Sequence, residues 1–264
     1  MQGGITVDIN YFMYLVGFTL MMILNLVCYP VYRCSKKRAV IYTLMTYVFG
    51  VLSAMLMGKI YTMLAQMRHV EDVSKVAIFG AVIFTPLLIL LSVAIENLIF
   101  KKKQGDKFKP ANQKDTMDLL TPGIFIILTC AKFGCFCGGC CYGVACDFGV
   151  FNPKAGTKVF PVQIFEVITM CAVLLLSFFL KRHSFYRRGM AYPLTAALYT
   201  VGRFGWEYLR YYPEGMRPFA FGMTVWQITC LFVFAVSVMS LIAILVKNPA
   251  DPLVYIRKKK PVIR

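Results

Sequence analysis

Seven stretches of nearly unbroken apolar residues, separated by short polar or basic blocks, run along the chain at approximately 10–30, 39–57, 76–100, 117–135, 161–180, 189–207 and 220–246. Each approaches the roughly 20 residues needed to cross about 30 Å of hydrocarbon. A backbone amide in lipid has no water to bond, so an apolar run of this length satisfies its amides internally, as a helix. The alternating pattern of a membrane barrel is absent. The pattern therefore predicts an all-α integral membrane protein of seven transmembrane helices. No internal repeat or linker divides the chain, and residues 1–264 are expected to form a single polytopic membrane domain. The first stretch has no basic leader and no small-residue cleavage site, so it is expected to remain as the first helix.

Composition agrees with lipid as the main solvent. Hydrophobic residues make up 59% of the chain and charged residues 16%, where soluble domains carry about 25%. A net charge of +17 would suit a nucleic-acid binder, but the basic residues stand in short blocks between apolar runs, so no nucleic-acid partner is expected. Those blocks set the orientation, because cytoplasmic loops hold the excess of Lys and Arg. Twenty such residues follow helices 1, 3, 5 and 7, among them Arg33, Lys36, Lys101, Lys107, Lys181, Arg188 and Lys258. Seven lie on the opposite side: Lys59, Arg68, Lys75, Lys154, Lys158, Arg210 and Arg217. This asymmetry predicts an N-terminus outside and a C-terminus inside.

An ionisable side chain deep in a spanning helix costs about 2.5–3.5 kcal/mol on insertion scales, so the few present are candidates for chemistry. They are Glu96, Asp118, Lys132, Glu166, Arg203 and Glu207. Glu96 and Asp118 lie near cytoplasmic ends and are expected to snorkel or be wetted. The other four gather toward the outer half, which counts against a transport path distributed through the bilayer. Arg203, Glu207 and Arg210 are spaced i, i+4, i+7, which on a continuous helix places them on one face. Two guanidiniums with a carboxylate between them suit a phosphodiester; an intrahelical pair that lowers insertion cost is the structural alternative.

Between helices 4 and 5 the chain reads Ala131-Lys132-Phe133-Gly134-Cys135-Phe136-Cys137-Gly138-Gly139-Cys140-Cys141-Tyr142-Gly143. Gly134, Gly139 and Gly143 would let backbone approach a ligand closely, or let helices pack. Pro161-Val162-Gln163-Ile164-Phe165-Glu166 then puts Gln163 and Glu166 three apart on the opening turn of helix 5, at the same membrane face.

Together these segments resemble the prolipoprotein diacylglyceryl transferase family. Met13-Tyr14-Leu15-Val16-Gly17-Phe18 is similar to its first-helix text. Lys132 to Gly143 stands where the family has Gly-Arg-x-Gly-Asn-Phe-x-Asn-Gly-Glu-x-x-Gly. Pro161 to Glu166 resembles His-Pro-x-Gln-x-Tyr-Glu, Arg203-x-x-x-Glu207-x-x-Arg210 matches the helix 6 motif, and Gly222 to Gln227 is weakly similar to Met-Gly-Gln. The resemblance implies an enzyme of the bacterial cytoplasmic membrane, with its site facing the outer leaflet. That enzyme would move a diacylglyceryl group from phosphatidylglycerol, or a similar anionic phospholipid, to the cysteine thiol of a lipobox-bearing preprotein. It implies that Arg203 and Arg210 hold the phosphate, Lys132 shares it and Glu207 orients the arginines, while Tyr14, Gly134, Gly139, Gly143, Gln163 and Glu166 bind substrate. No cofactor is required by this resemblance. This chain departs from the family text at Lys132, Cys135 and Cys140, which replace Arg, Asn and Glu. A family His also has no counterpart at Ile78-Phe79-Gly80-Ala81, His69 lying about ten residues earlier.

Six of the ten cysteines fall between Cys130 and Cys146. Small hydrophobes in helix packing account for Cys28, Cys171 and Cys230 more easily than for this cluster. Cys137-x-x-Cys140 could form a redox dithiol or a disulfide. Cys135, Cys137, Cys140, Cys141 and Cys146 could hold a metal, though the paired spacing of a structural zinc site is missing. A thiolate near Lys132 could act as a nucleophile. A cysteine-based redox or metal-handling membrane protein on the same frame is therefore the alternative function.

Overall fold

The computed structural model describes residues 9–32, 34–67, 77–104, 109–183, 185–212 and 221–247. The chain runs through α1 (Ile9–Cys28), α2 (Lys36–Gln66), α3 (Phe79–Gln104), α4 (Gln113–Cys137), β1 (Ala145–Asn152), β2 (Thr157–Val159), α5 (Val162–Leu180), α6 (Ala191–Trp206) and α7 (Val225–Lys247). A single turn of 3-10 helix, Glu207–Leu209, extends α6. Among the described residues six helices, α1 to α5 and α7, are long and apolar enough to cross a membrane. α6, with 16 residues, is shorter.

α4 is the centre of the bundle. It packs against α1, α2, α3, α5 and α6, and buried positions run from Asp115 to Gly134. Association between helices in lipid relies on close packing rather than on escape from water, and small residues permit the closest approach. At Gly17 of α1 an added Cβ would sit 3.0 Å from the Ile127 Cα, and at Gly123 of α4 it would sit 2.4 Å from the Met21 Cγ. Around α4 the core is aromatic and aliphatic, with Phe125, Tyr199, Phe79 and Trp226 in one cluster. Leu15, Leu91, Leu175 and Phe232 project outward, as side chains that meet lipid do.

Two sequence expectations are corrected. α2 continues past residue 57 to Gln66, so Lys59 lies within the helix and not in a loop. Asp118 is fully buried, neither wet nor snorkelling. Its carboxylate accepts the amides of Gly189 (2.8 Å) and Ala191 (2.9 Å), satisfying the N-terminal amides of α6, which has no side-chain cap of its own. Glu96, by contrast, is part-buried and takes Arg38 at 2.8 Å. Between α4 and α5 the structure adds a two-stranded antiparallel hairpin to the helical bundle. Asn152 makes its turn by accepting the amides of Lys154 (2.9 Å) and Ala155 (3.2 Å). The Asn-Pro-Lys-Ala-Gly text at 152–156, flanked by Val150, Phe151, Lys158 and Val159, carried that signal. His69, Lys75, Lys107, Arg217 and the basic C-terminal tail lie outside the described residues.

Candidate functional site

Five ionised side chains converge inside the bundle from three segments. α4 brings Lys132 in its last two turns, α5 brings Glu166 in its first, and α6 with its 3-10 extension brings Arg203, Glu207 and Arg210. Glu166 is the hub: Lys132 Nζ lies 2.8 Å from its Oε2, while Arg203 Nε (2.9 Å) and Arg210 Nη2 (2.7 Å) share its Oε1. Glu207 pairs with Arg203 and lies 3.7 Å from Arg210 Nε. Glu207 also accepts hydroxyls from Tyr212 and, at 2.9 Å, from Thr224. All five charged side chains are buried, none more than 7% exposed. Three cations against two carboxylates leave this set one positive charge in excess.

The i, i+4, i+7 reading of Arg203, Glu207 and Arg210 needs correction. α6 stops at Trp206, and Arg210 is extended, with φ −84° and ψ 138°. Arg210 therefore reaches Glu166 from a loop and not from the helix face. That loop is fixed by backbone pairing: Gly143 bridges to Arg210, the Val144 amide donates to Leu209 O (2.9 Å) and the Tyr211 amide to Tyr142 O (3.1 Å).

The Gly- and Cys-rich stretch is thus stitched between the exit of α6 and the entry of α5. Gly143 also donates to Phe160 O at 3.0 Å, and a Cβ there would lie 2.6 Å from two backbone carbonyls, those of Leu209 and Phe160. Gly134 meets Met13 and Asn10 of α1, so it serves helix packing. Gly139, at φ +64°, makes the turn after α4. The Gln163 amide donates to Cys140 O at 2.6 Å. Beside this stretch a cavity of about 300 Å³ opens between the end of α4, the hairpin and the start of α5, with Cys137, Gly139, Asn152, Lys154 and Gln163 in its wall.

Of the clustered cysteines, three come together. The Sγ atoms of Cys135, Cys140 and Cys141 all lie within 4.8 Å of one another, and Tyr14 of α1 lies near all three. Hydrogen bonds from Cys135 and Cys140, with Arg210 and Lys132 nearby, hold the Cys141 thiol well below the usual thiol range. Cys137 is exposed and outside this trio, so the Cys137-x-x-Cys140 spacing does not mark the group that converges. Cys146 lies on β1 against Gly149. Thr224 and Tyr212 were not anticipated. Thr224 had a signal, since Thr224-x-x-Gln227 closes as a reciprocal cap of α7, with Thr224 N to Gln227 Oε1 at 3.0 Å and Gln227 N to Thr224 Oγ1 at 3.2 Å. Tyr212 had none, since it lies beyond the helix.

Three relatives share parts of this chain. A phosphatidylglycerol–prolipoprotein diacylglyceryl transferase 2 of Clostridium perfringens is 30% identical over 112 residues, 39% of this chain and 43% of that protein. A phosphatidylglycerol–prolipoprotein diacylglyceryl transferase of Clostridium tetani is 28% identical over 185 residues, 64% of this chain and 68% of that protein. One of Dehalococcoides mccartyi is 28% identical over 130 residues, 46% of this chain and 48% of that protein. The aligned stretch thus spans less than half the length of the first and third relatives. The family profile described as prolipoprotein diacylglyceryl transferase matches residues 2–243, which take in every element from α1 to the greater part of α7, and the chain belongs to that family.

Proposed function

We propose that this protein transfers a diacylglyceryl group from phosphatidylglycerol to the thiol of a lipobox cysteine, at the outer leaflet of a bacterial cytoplasmic membrane. The observation that carries the reading is the buried excess positive charge of Lys132, Arg203 and Arg210 over Glu166 and Glu207. An excess of buried charge over the two carboxylates is costly, and a singly charged phosphodiester would balance it. As the acceptor sulfur attacks the glycerol carbon, the C–O bond to phosphate breaks and the leaving glycerol phosphate gains a second negative charge. Fixed cations aimed at that developing charge lower the barrier, and Glu166 and Glu207 hold them in place beforehand.

The topology of this reading has seven crossings, with the N-terminus out and the C-terminus in. α6 covers about 24 Å at 1.5 Å per residue, and the 3-10 turn adds about 6 Å, which together approach the hydrocarbon thickness. The basic blocks then fall inside, while the hairpin and the charge network sit at the outer face. The test is incubation of the protein in phosphatidylglycerol liposomes with a lipobox peptide, followed by mass spectrometry of the peptide thiol. A diacylglyceryl adduct that Arg203→Ala abolishes is the expected result. Absence of an adduct from folded protein in lipid overturns the reading.

A further inference from the structure

The trio of thiols lies beside the charge network, with Arg210 and Lys132 near Cys141. Cys135 lies in the last turn of α4, and the Cys140 amide donates to its carbonyl at 3.0 Å. The Cys140 carbonyl is in turn fixed by Gln163 at 2.6 Å, and Cys141 is held at φ +59°, a conformation an L-residue adopts only when its surroundings impose it. Three thiolates on a tetrahedral zinc ion at about 2.3 Å have their sulfurs about 3.8 Å apart. Sulfurs already within 4.8 Å of one another come within about 1 Å of that spacing. Soft thiolate ligands select zinc and copper(I) over the harder cations, and three protein ligands leave a tetrahedral ion one open position.

We propose that Cys135, Cys140 and Cys141 bind one zinc ion whose fourth position takes the acceptor thiol. The second half of this proposal rests on the transferase reading; the first does not. Cys141 is exposed, which gives an acceptor chain an approach, and the cavity nearby is walled by Gly139, which precedes Cys140, and by Gln163, which donates to the Cys140 carbonyl. On binding, the acceptor thiol gives its proton to water and its sulfur becomes a metal-bound thiolate. That sulfur's electron pair forms the C–S bond to the glycerol carbon, and the C–O bond breaks with its pair on the departing glycerol phosphate. No oxidant or reductant enters.

The experiment uses the full chain, reduced, in phosphatidylglycerol nanodiscs. Zinc is measured by elemental analysis, and Co²⁺ replaces it for absorption spectroscopy. One zinc per chain is expected, with thiolate-to-cobalt charge-transfer bands, and Cys140→Ser is expected to weaken binding at least tenfold while Cys137→Ser leaves it unchanged. Should the Cys140 variant fail to fold, zinc is expected to protect Cys135, Cys140 and Cys141 of the unaltered protein from maleimide, and labelling of all three at the metal-free rate overturns the site. Adding lipobox peptide to the cobalt form is expected to intensify the charge-transfer bands. No zinc on folded protein, binding that depends on Cys137, or binding of copper(I) alone overturns the site. A spectrum indifferent to the peptide, or transfer that survives zinc removal, overturns the acceptor role and leaves the transferase standing. Zinc binding without any transfer keeps the site and removes the transferase reading.

Discussion

Glu166 has three cationic partners, so its loss is felt differently from that of any one of them. Glu166→Gln leaves Lys132, Arg203 and Arg210 facing Glu207 as the remaining carboxylate of the five, and removing one member of a buried ion network costs about 3–5 kcal/mol. Thermal unfolding in detergent is expected to show that loss. Adding Lys132→Met to Glu166→Gln restores the original charge balance and is expected to recover part of the stability, a coupling that a double-mutant cycle reads directly. Arg203→Lys keeps the charge but loses the planar fork that meets both Glu166 and Glu207, and a drop in transfer on the order of 10²-fold is expected in the liposome assay. Asp118 stands apart from that network: Asp118→Ala removes the carboxylate that accepts the Gly189 and Ala191 amides and should cost about 1–2 kcal/mol, measured by the same unfolding experiment, with transfer per folded molecule unchanged.

At the scale of elements, the contact between α2 and α3 depends on one missing side chain. A Cβ at Gly80 would sit 2.0 Å from the Ser53 carbonyl oxygen, which is backbone and cannot move aside. Gly80→Ala is therefore expected to push α3 away from α2 and lower the unfolding temperature. Gly205→Ala is the matched control: nothing lies within 4 Å of its Cβ, and replacing a helical glycine by alanine should stabilise by about 0.5–1 kcal/mol. Equal losses from both substitutions in detergent unfolding would show that the α2–α3 contact is not the limiting one. The hairpin is a second element with its own logic. Its turn rests on Asn152, while Phe148 and Phe151 stand exposed.

For the whole molecule, the orientation is a prediction about compartments. Alkaline phosphatase joined after Gly156 should be active, since it would lie outside, and joined after Pro110 it should be inactive; the reverse pattern would invert the topology. The long apolar runs made the spanning helices legible from the chain alone, because hydrocarbon leaves the backbone no other way to satisfy its amides. The five charged members of the site were legible for a related reason: ionisable groups are too costly in a bilayer to be numerous, so Lys132, Glu166, Arg203 and Glu207 stood out by rarity and Arg210 by its spacing. What each one touches was not. Glu166 became the hub because α5 faces both α4 and α6, and Arg210 reached it only because the chain becomes extended after the 3-10 turn at Glu207–Leu209 and pairs with Gly143. Asp118 capped a helix that begins seventy-three residues further along the chain. The choice of Cys135, Cys140 and Cys141 over Cys137 was likewise made by a turn at Gly139 and a strained residue at 141. Periodicity and cost are local properties that a sequence carries openly, whereas partners depend on where separate segments are brought together, which packing alone fixes.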